Sequence, residues 1–322
     1  MSLAPFRDVS PVSSVRSPAL ALALLLLVAT ASAGSTSTVD APFCGLRADP
    51  PATYEHVVWI WFENHSFRSI VGSPDAPFLN DTLIAGCGLA TNYHNITHPS
   101  LPNYIAATSG LPQAALGRFR SDCNAVGSCR TRAPSIFAQA PSWGAYAESM
   151  IKSCQLQFKS PYAASHNPAV YYRGLTDCAE HDVGLGQLQR DLDADVLPAF
   201  VFVSPNMCHS MHDCSVRTGD GWLAHTVRSL VASPAYQRGG TVIFVTFDEG
   251  DGGHSGNCTK NTHDVGCRVA TLVISPYTPP GTRSATLFNH YALLRTTEEL
   301  LGIETLLGRA ARAESMRTAF GL

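Results

Sequence analysis

Four short, uninterrupted apolar runs, at residues 57–62, 200–203, 242–247 and 269–274, constrain this chain more than any other feature. A strand with one wet face alternates apolar and polar residues, whereas a strand covered on both faces reads as a continuous apolar stretch. Helical patterning falls between or after the runs, in a segment opening at Pro102, over 222–231 and over 291–301. The alternation predicts an α/β fold: a three-layer αβα sandwich with a mainly parallel central sheet. Ligands of such sheets bind beyond the carboxyl ends of the strands.

The residues that follow the runs are therefore informative. Glu63 and Asn64 follow the first, Asn206, His209, His212 and Asp213 the second, and Asp248 and Glu249 the third. Any one of these groups alone is as readily a solvated turn or a helix cap. Three together bring oxygen and nitrogen donors to one edge, and such a cluster repels itself unless cations occupy it. In His98-Pro99-Ser100-Leu101-Pro102-Asn103 a hydroxyl stands just before a helix start, with Pro in the first turn. Ser100 reads as an N-cap, or as a nucleophile where helix N–H groups face an anion; the two roles are compatible in part. It lacks the Gly-x-Ser-x-Gly setting of a Ser-His-Asp hydrolase. Asp220 reads most simply as the N-cap of the helix after it, and the stretch from His166 to Tyr172 as pocket lining or packing.

Ten Cys among 322 residues ask for zinc or an oxidising compartment. Arg7 and Arg16 precede an apolar run at 19–31 that ends in Ala31-Ser32-Ala33, which predicts a signal peptide over 1–33 and a secreted protein. No later segment is long enough to cross a bilayer, so no transmembrane anchor is expected after cleavage. No Cys-x-x-Cys occurs, which argues for disulfides; Cys123 with Cys129, Cys208 with Cys214 and Cys258 with Cys267 are the expected local pairs. Asn80, Asn95 and Asn257 stand in glycosylation acceptors if the host is eukaryotic. With 45% hydrophobic and 15% charged residues the chain is neither disordered nor a coiled coil, and a net charge of -3 gives no reason to expect nucleic acid.

Six segments in order carry a resemblance: Glu63-Asn64-His65-Ser66, Thr97 to Tyr104, Ser204-Pro205-Asn206 with Met211-His212-Asp213, Gly219 to Leu223, Thr246 to Gly250, and His290-Tyr291. Together they resemble the phosphoesterase family of phospholipases C and acid phosphatases, within the alkaline phosphatase superfamily. The resemblance runs from about His56 to Gly302. It implies a disulfide-stabilised, alkaline-phosphatase-like fold, with an N-terminal extension over 34–55, a metal-dependent phosphoesterase domain over 56–308 and a C-terminal tail over 309–322.

Carried over by position, it implies Ser100 as the nucleophile, with Glu63, Asn64, Asp248 and Glu249 as ligands of the activating metal. His290, with His212 and Asp213, matches a second metal position; Asn206 stands where that position usually has an acid. One or two divalent ions are therefore implied, among Ca, Mg, Mn, Fe and Zn, and Glu249 in place of an imidazole favours the harder ones. Asn103 would hydrogen-bond the phosphoryl group, and His212 or His98 would protonate the leaving oxygen, His98 otherwise shaping the substrate side. The implied activity is hydrolysis of phosphomonoesters, phosphoinositides among them, through a phosphoserine, and the implied partner is a phosphoester substrate such as a phosphoinositide or a phospholipid. A phospholipase C-type phosphodiesterase and an inactive binding protein on the same scaffold are the alternatives.

Overall fold

A computed structural model describes residues 42–252 and 256–322. The expected signal peptide and His254 lie outside the described residues. In chain order the main elements are β1 (His56–Phe62), β2 (Gly88–His94), α1 (Ser100–Ser109), β3 (Trp143–Ala147), β4 (Asp182–Gly184), α2 (Gly186–Asp193), β5 (Phe200–Ser204), α3 (Val216–Ala232), β6 (Thr241–Phe247), β7 (Arg268–Ile274), β8 (Arg283–Ser284), β9 (Phe288–Asn289) and α4 (His290–Leu300). The strands form one sheet in the order β4-β3-β5-β1-β6-β7-β2-β8, with β9 also paired to β2.

β1 lies at the centre because every residue in it is apolar or buried, and its side chains alternate between two covered faces. Trp59 and Trp61 point to one face: Trp59 donates its indole N–H to Thr297 of α4 at 2.9 Å, and Trp61 packs 4.9 Å from Tyr104 of α1. Phe62 points to the other and meets Trp222 of α3 edge-on at 6.0 Å. Helices therefore cover both faces, and the expected three-layer α/β architecture is present. β3, β4, β5, β1 and β6 are mutually parallel, while β7 runs antiparallel to both β6 and β2. The apolar run at 269–274 carried no sign of that reversal, because burial on both faces looks the same in either direction.

All ten cysteines are paired, as Cys44–Cys87, Cys123–Cys129, Cys154–Cys178, Cys208–Cys214 and Cys258–Cys267. Three are the expected local pairs; the other two join segments 43 and 24 residues apart, beyond what local spacing reveals. The flanks are not separate from the domain. Cys44 and Tyr54 are buried near the start of the described chain, and Ala310, Met316, Phe320 and Leu322 enter the same core near its end. Of the glycosylation acceptors, Asn95 is fully buried and donates to the Thr97 carbonyl. Asn80 spends its amide on the backbone of Gly72, Ile70 and Ala76. Neither side chain is available to a glycan in the folded protein. Among the described residues no helix is long and apolar enough to cross a membrane.

One helix boundary differs from expectation. α3 begins one turn earlier, where Ser215 caps it by accepting from the Thr218 N–H. Asp220 is inside the helix, and its carboxylate accepts the N–H groups of Phe78 and Leu79 at 2.9 Å each, at the open start of the helical turn over Phe78–Ile84. Replacing it with Ala leaves two buried donors without a partner. Asp220→Ala is expected to lower stability by about 2–4 kcal/mol, with Asp220→Asn in between, measured by urea unfolding. An effect below about 0.5 kcal/mol would show that the bonds are dispensable.

Candidate active site

The site is set by strand register. β1 and β6 pair in parallel with Phe62 opposite Phe247, so the residues that follow each strand emerge side by side. The ladder continues one step further, with the Asp248 N–H donating to the Phe62 carbonyl at 3.0 Å. Glu63 and Asn64 thus meet Asp248 and Glu249. Asn64 takes a positive φ of 51°, which a short amide side chain tolerates, and its backbone N–H donates to Asp248 Oδ1 at 3.1 Å. On the other side of β1, the loop after β5 is held by the Glu63 N–H donating to the Ser210 carbonyl at 2.9 Å.

Ser100 heads α1 and delivers its hydroxyl to this cluster, donating to Glu63 Oε2 at 3.0 Å with Asn64 Oδ1 at 3.4 Å. Glu63 Oε1 accepts from the Tyr104 hydroxyl one turn along the same helix. Ser100 is 5% exposed and lies on a cleft of about 350 Å³ also lined by Asn64, Asp122, His166, His212 and Glu249. Two larger clefts, about 720 and 450 Å³, lie along α2 and α3; neither contains Ser100 or the residues after β1 and β6.

The electrostatics are those of an anionic cluster without a counter-charge. Glu63 is pushed well above the usual carboxylate range by burial and by Asp248, and Asp248 by burial and by Glu249. Burial raises Glu249 to about 8. Among the described residues no Lys or Arg pairs with any of the three. Asp248 Oδ2 is buried with no hydrogen-bond partner, although buried carboxylate oxygens ordinarily have one. Glu63, Asn64, Ser100, Asp248 and Glu249 offer only oxygen donors, the type a hard divalent cation takes, although the oxygens of the three carboxylates do not all lie within 4.8 Å of one another. Both His/Cys/Asp groupings with metal-like proximity, around Cys258–Cys267 and Cys154–Cys178, contain disulfide sulfurs and so offer no thiolate.

Several residues expected at the site stand elsewhere. Asn103 is buried beneath the cleft: its Oδ1 accepts the N–H groups of Ile96 and Thr97, and its Nδ2 donates to the Thr97 and Pro99 carbonyls and, at 3.5 Å, to Glu249 Oε2. It holds the turn that presents Ser100. His290 is fully buried, kept neutral at about 4 by burial, and has both ring nitrogens in use, at 2.7 Å from the Asp248 carbonyl and 3.0 Å from the Tyr93 hydroxyl. It braces the backbone of Asp248, and no nitrogen remains for a metal. Asp213 is outside the cluster, 55% exposed, with Oδ1 2.7 Å from His212 Nδ1. Asn206 Oδ1 accepts the N–H groups of Cys208 and His209, so it closes the loop after β5. The second metal position expected from His290, His212 and Asp213 is thus not assembled. His98 does reach the cluster, with Nδ1 2.8 Å from Glu249 Oε2.

The phosphoesterase family profile matches residues 74–304. The chain belongs to the phosphoesterase family. It is 28% identical over 265 residues to the phosphatidylinositol-3-phosphatase of Mycobacterium tuberculosis, covering 81% of this chain and 82% of that one. It is 27% identical to the phosphate-repressible acid phosphatase of Penicillium chrysogenum, covering 79% of this chain and 60% of that enzyme. Among solved structures, an alkaline phosphatase superfamily protein from Vibrio parahaemolyticus has a TM-score of 0.55 at 12% identity, covering 86% of this chain and 74% of that one. That likeness shows the fold.

Sequence reading missed Asp122 and placed His166 only as pocket lining or packing; both line the Ser100 cleft. His166 is buried and held neutral at about 3 by burial, so its Nε2, 3.3 Å from Glu63 Oε2, makes a close contact there and not an ion pair. Asp122 accepts the Leu101 N–H at 2.8 Å. That donor, one residue past Ser100, is a natural seat for a phosphoryl oxygen at a helix start. Neither residue follows an apolar run, so only the folded chain shows Asp122 at the cleft and decides pocket lining for His166.

Two outcomes are expected. Asp122→Ala frees the Leu101 N–H and removes a negative charge from the cleft, so the inhibition constant for inorganic phosphate should fall roughly tenfold; Asp122→Asn, which keeps the acceptor, should show a smaller fall. An unchanged or higher constant would mean that Asp122 only props the loop. The metal-free protein should lose stability as pH rises. Glu249 titrates near 4.5 unfolded and near 8 folded, so the folded state holds the extra proton between those values and its stabilisation is lost through pH 8. Melting temperature against pH, with and without Glu249→Gln, checks this; a flat profile in both would contradict it.

Proposed function

We propose that the protein is a metal-dependent phosphomonoesterase that works through a phosphoserine at Ser100. The observation that carries this reading is a helix-head hydroxyl 3.0 Å from a buried carboxylate cluster that, among the described residues, pairs with no Lys or Arg. Family membership and the acid phosphatase relatives support ester hydrolysis at phosphorus.

Glu63, Asn64, Asp248 and Glu249 would hold one divalent cation, whose charge would favour the ionised Ser100 hydroxyl and a polarised phosphoryl oxygen. Ser100 Oγ attacks phosphorus, its proton leaving toward Glu63 Oε2, and the ester oxygen departs as an alcohol. His212 lines the cleft with Nδ1 held by Asp213, which leaves Nε2 to protonate that oxygen. Asp213 thus serves as an orienting partner in this reading. Water then cleaves the phosphoserine and frees inorganic phosphate. His98, bonded to Glu249, and Asn103, bonded to the turn before Ser100, keep nucleophile and carboxylates in register. Pairing of all ten cysteines supports a secreted protein in an oxidising compartment. Similarity to the mycobacterial phosphatidylinositol-3-phosphatase makes phosphoinositides the first natural substrates to test.

Ser100→Ala is expected to reduce turnover of p-nitrophenyl phosphate by about 10³-fold or more with melting temperature unchanged. Dialysis against chelator should abolish turnover, and add-back of Ca, Mg, Mn, Fe or Zn singly should identify the ion. Retained turnover in Ser100→Ala would remove the nucleophile assignment, and indifference to chelation the metal. Release of choline phosphate from phosphatidylcholine without phosphate release from the monoester would favour a phosphodiesterase.

A further inference from the structure

Six large apolar side chains are exposed among the described residues, and three of them gather at one groove: Val126 (45%), Ile151 (72%) and Phe158 (52%). The groove holds about 340 Å³. The loops that carry them are braced. Val126 lies within the ring closed by Cys123–Cys129, and Ile151 and Phe158 flank Cys154, which is bonded to Cys178. The Ala125 N–H donates to the Leu156 carbonyl at 2.9 Å, and the Phe158 N–H donates to Asn124 Oδ1 at 2.7 Å, so the two loops are joined. Their apolar tips are held in water by covalent and hydrogen-bonded supports.

The charge here is opposite to that of the chain. Lys152 and Lys159, two of the three lysines in the sequence, line the groove, and no acidic residue does. Residues 112–160 carry Arg118, Arg120, Arg130, Arg132, Lys152 and Lys159 against Asp122 and Glu148, within a chain of net charge -3. Phe158 also lines the Ser100 cleft, so the groove and the cleft share a wall.

We propose that this face is an interfacial docking surface for an anionic phospholipid membrane, which presents an amphiphilic phosphoester directly to the Ser100 cleft. The proposal rests on the phosphoesterase reading and deepens it. Exposed apolar tips flanked by ammonium groups enter the boundary between headgroups and acyl chains, where the tips lose water and the ammonium groups stay at the anionic surface. A phosphate at Ser100 extends its alcohol portion past Phe158 toward the groove. That continuity favours a lipid layer over a protein partner, which would have no reason to adjoin the cleft.

The test uses the full-length oxidised protein and its co-sedimentation with vesicles of phosphatidylcholine alone or mixed with phosphatidylinositol. Binding to the mixed vesicles, weakened by salt, is expected. Val126→Ser with Ile151→Ser, and separately Lys152→Glu with Lys159→Glu, should each weaken it about tenfold or more. Turnover of p-nitrophenyl phosphate should stay at the wild-type level in both, which also reports correct folding, and Ile151→Leu should retain binding. Absence of wild-type binding, or equal binding by the variants, would overturn the docking surface. Salt-independent binding to phosphatidylcholine alone would equally overturn it. Vesicle binding in a protein that turns over no phosphomonoester would uphold the surface and reject the Ser100 reading, so the two fail separately.

Discussion

The in-register parallel pairing of β1 with β6 is the constraint on which the rest of the site depends. With Phe62 opposite Phe247, the chain has no choice but to bring Glu63, Asn64, Asp248 and Glu249 to one point. Neighbouring buried carboxylates resist full ionisation without a counter-charge, and Asp248 Oδ2 has no hydrogen-bond partner. The surrounding protein answers that repulsion only in part. It supplies neutral donors to Glu63, from Tyr104 and Ser100 and by contact with His166, but no lysine or arginine.

Much of the remaining structure brings the Ser100 hydroxyl to that point and keeps it there. Asn103 ties the turn before Ser100 to its own helix, and Tyr104 ties the same helix to Glu63. His290 reaches across from α4 to brace the Asp248 carbonyl. These are positioning residues, and their number reflects the geometric precision that acyl- or phosphoryl-transfer sites need from their surroundings. The disulfides serve the other side of the cleft. Cys123–Cys129 and Cys208–Cys214 close the loops that place Asp122 and His212 at the rim.

Residues beside strand ends were legible because a parallel sheet has one functional edge, so Glu63, Asp248 and Glu249 could be named from apolar runs alone. Ser100 was legible from its helix-start setting and its place among the ordered motifs. His290 was chosen by position within a resemblance, and Asp213 by that and by its place after the second apolar run; position does not say which way a side chain turns. The imidazole of His290 is consumed by Tyr93 and the Asp248 carbonyl, and Asp213 faces solvent beside His212. Asp220 was misplaced for a related reason: Gly219 and Gly221 around it suggest a helix start, but the acceptor needed by the distant N–H groups of Phe78 and Leu79 drew it inside one.

The sequence by itself determined the layer architecture, the edge at which carboxylates gather, the helix-start setting of Ser100 and three of the five disulfides, because each follows from local periodicity or short spacing. Tertiary structure decided what depends on distant partners. It fixed the direction of β7, the pairing of Cys44 with Cys87 and of Cys154 with Cys178, and the consumption of Asn95, Asn103 and His290 by internal hydrogen bonds. It also placed Asp122 on the Leu101 N–H and His166 beside Glu63. Burial and hydrogen bonding are properties of neighbours in space, and a linear pattern carries them only where those neighbours are also near in the chain.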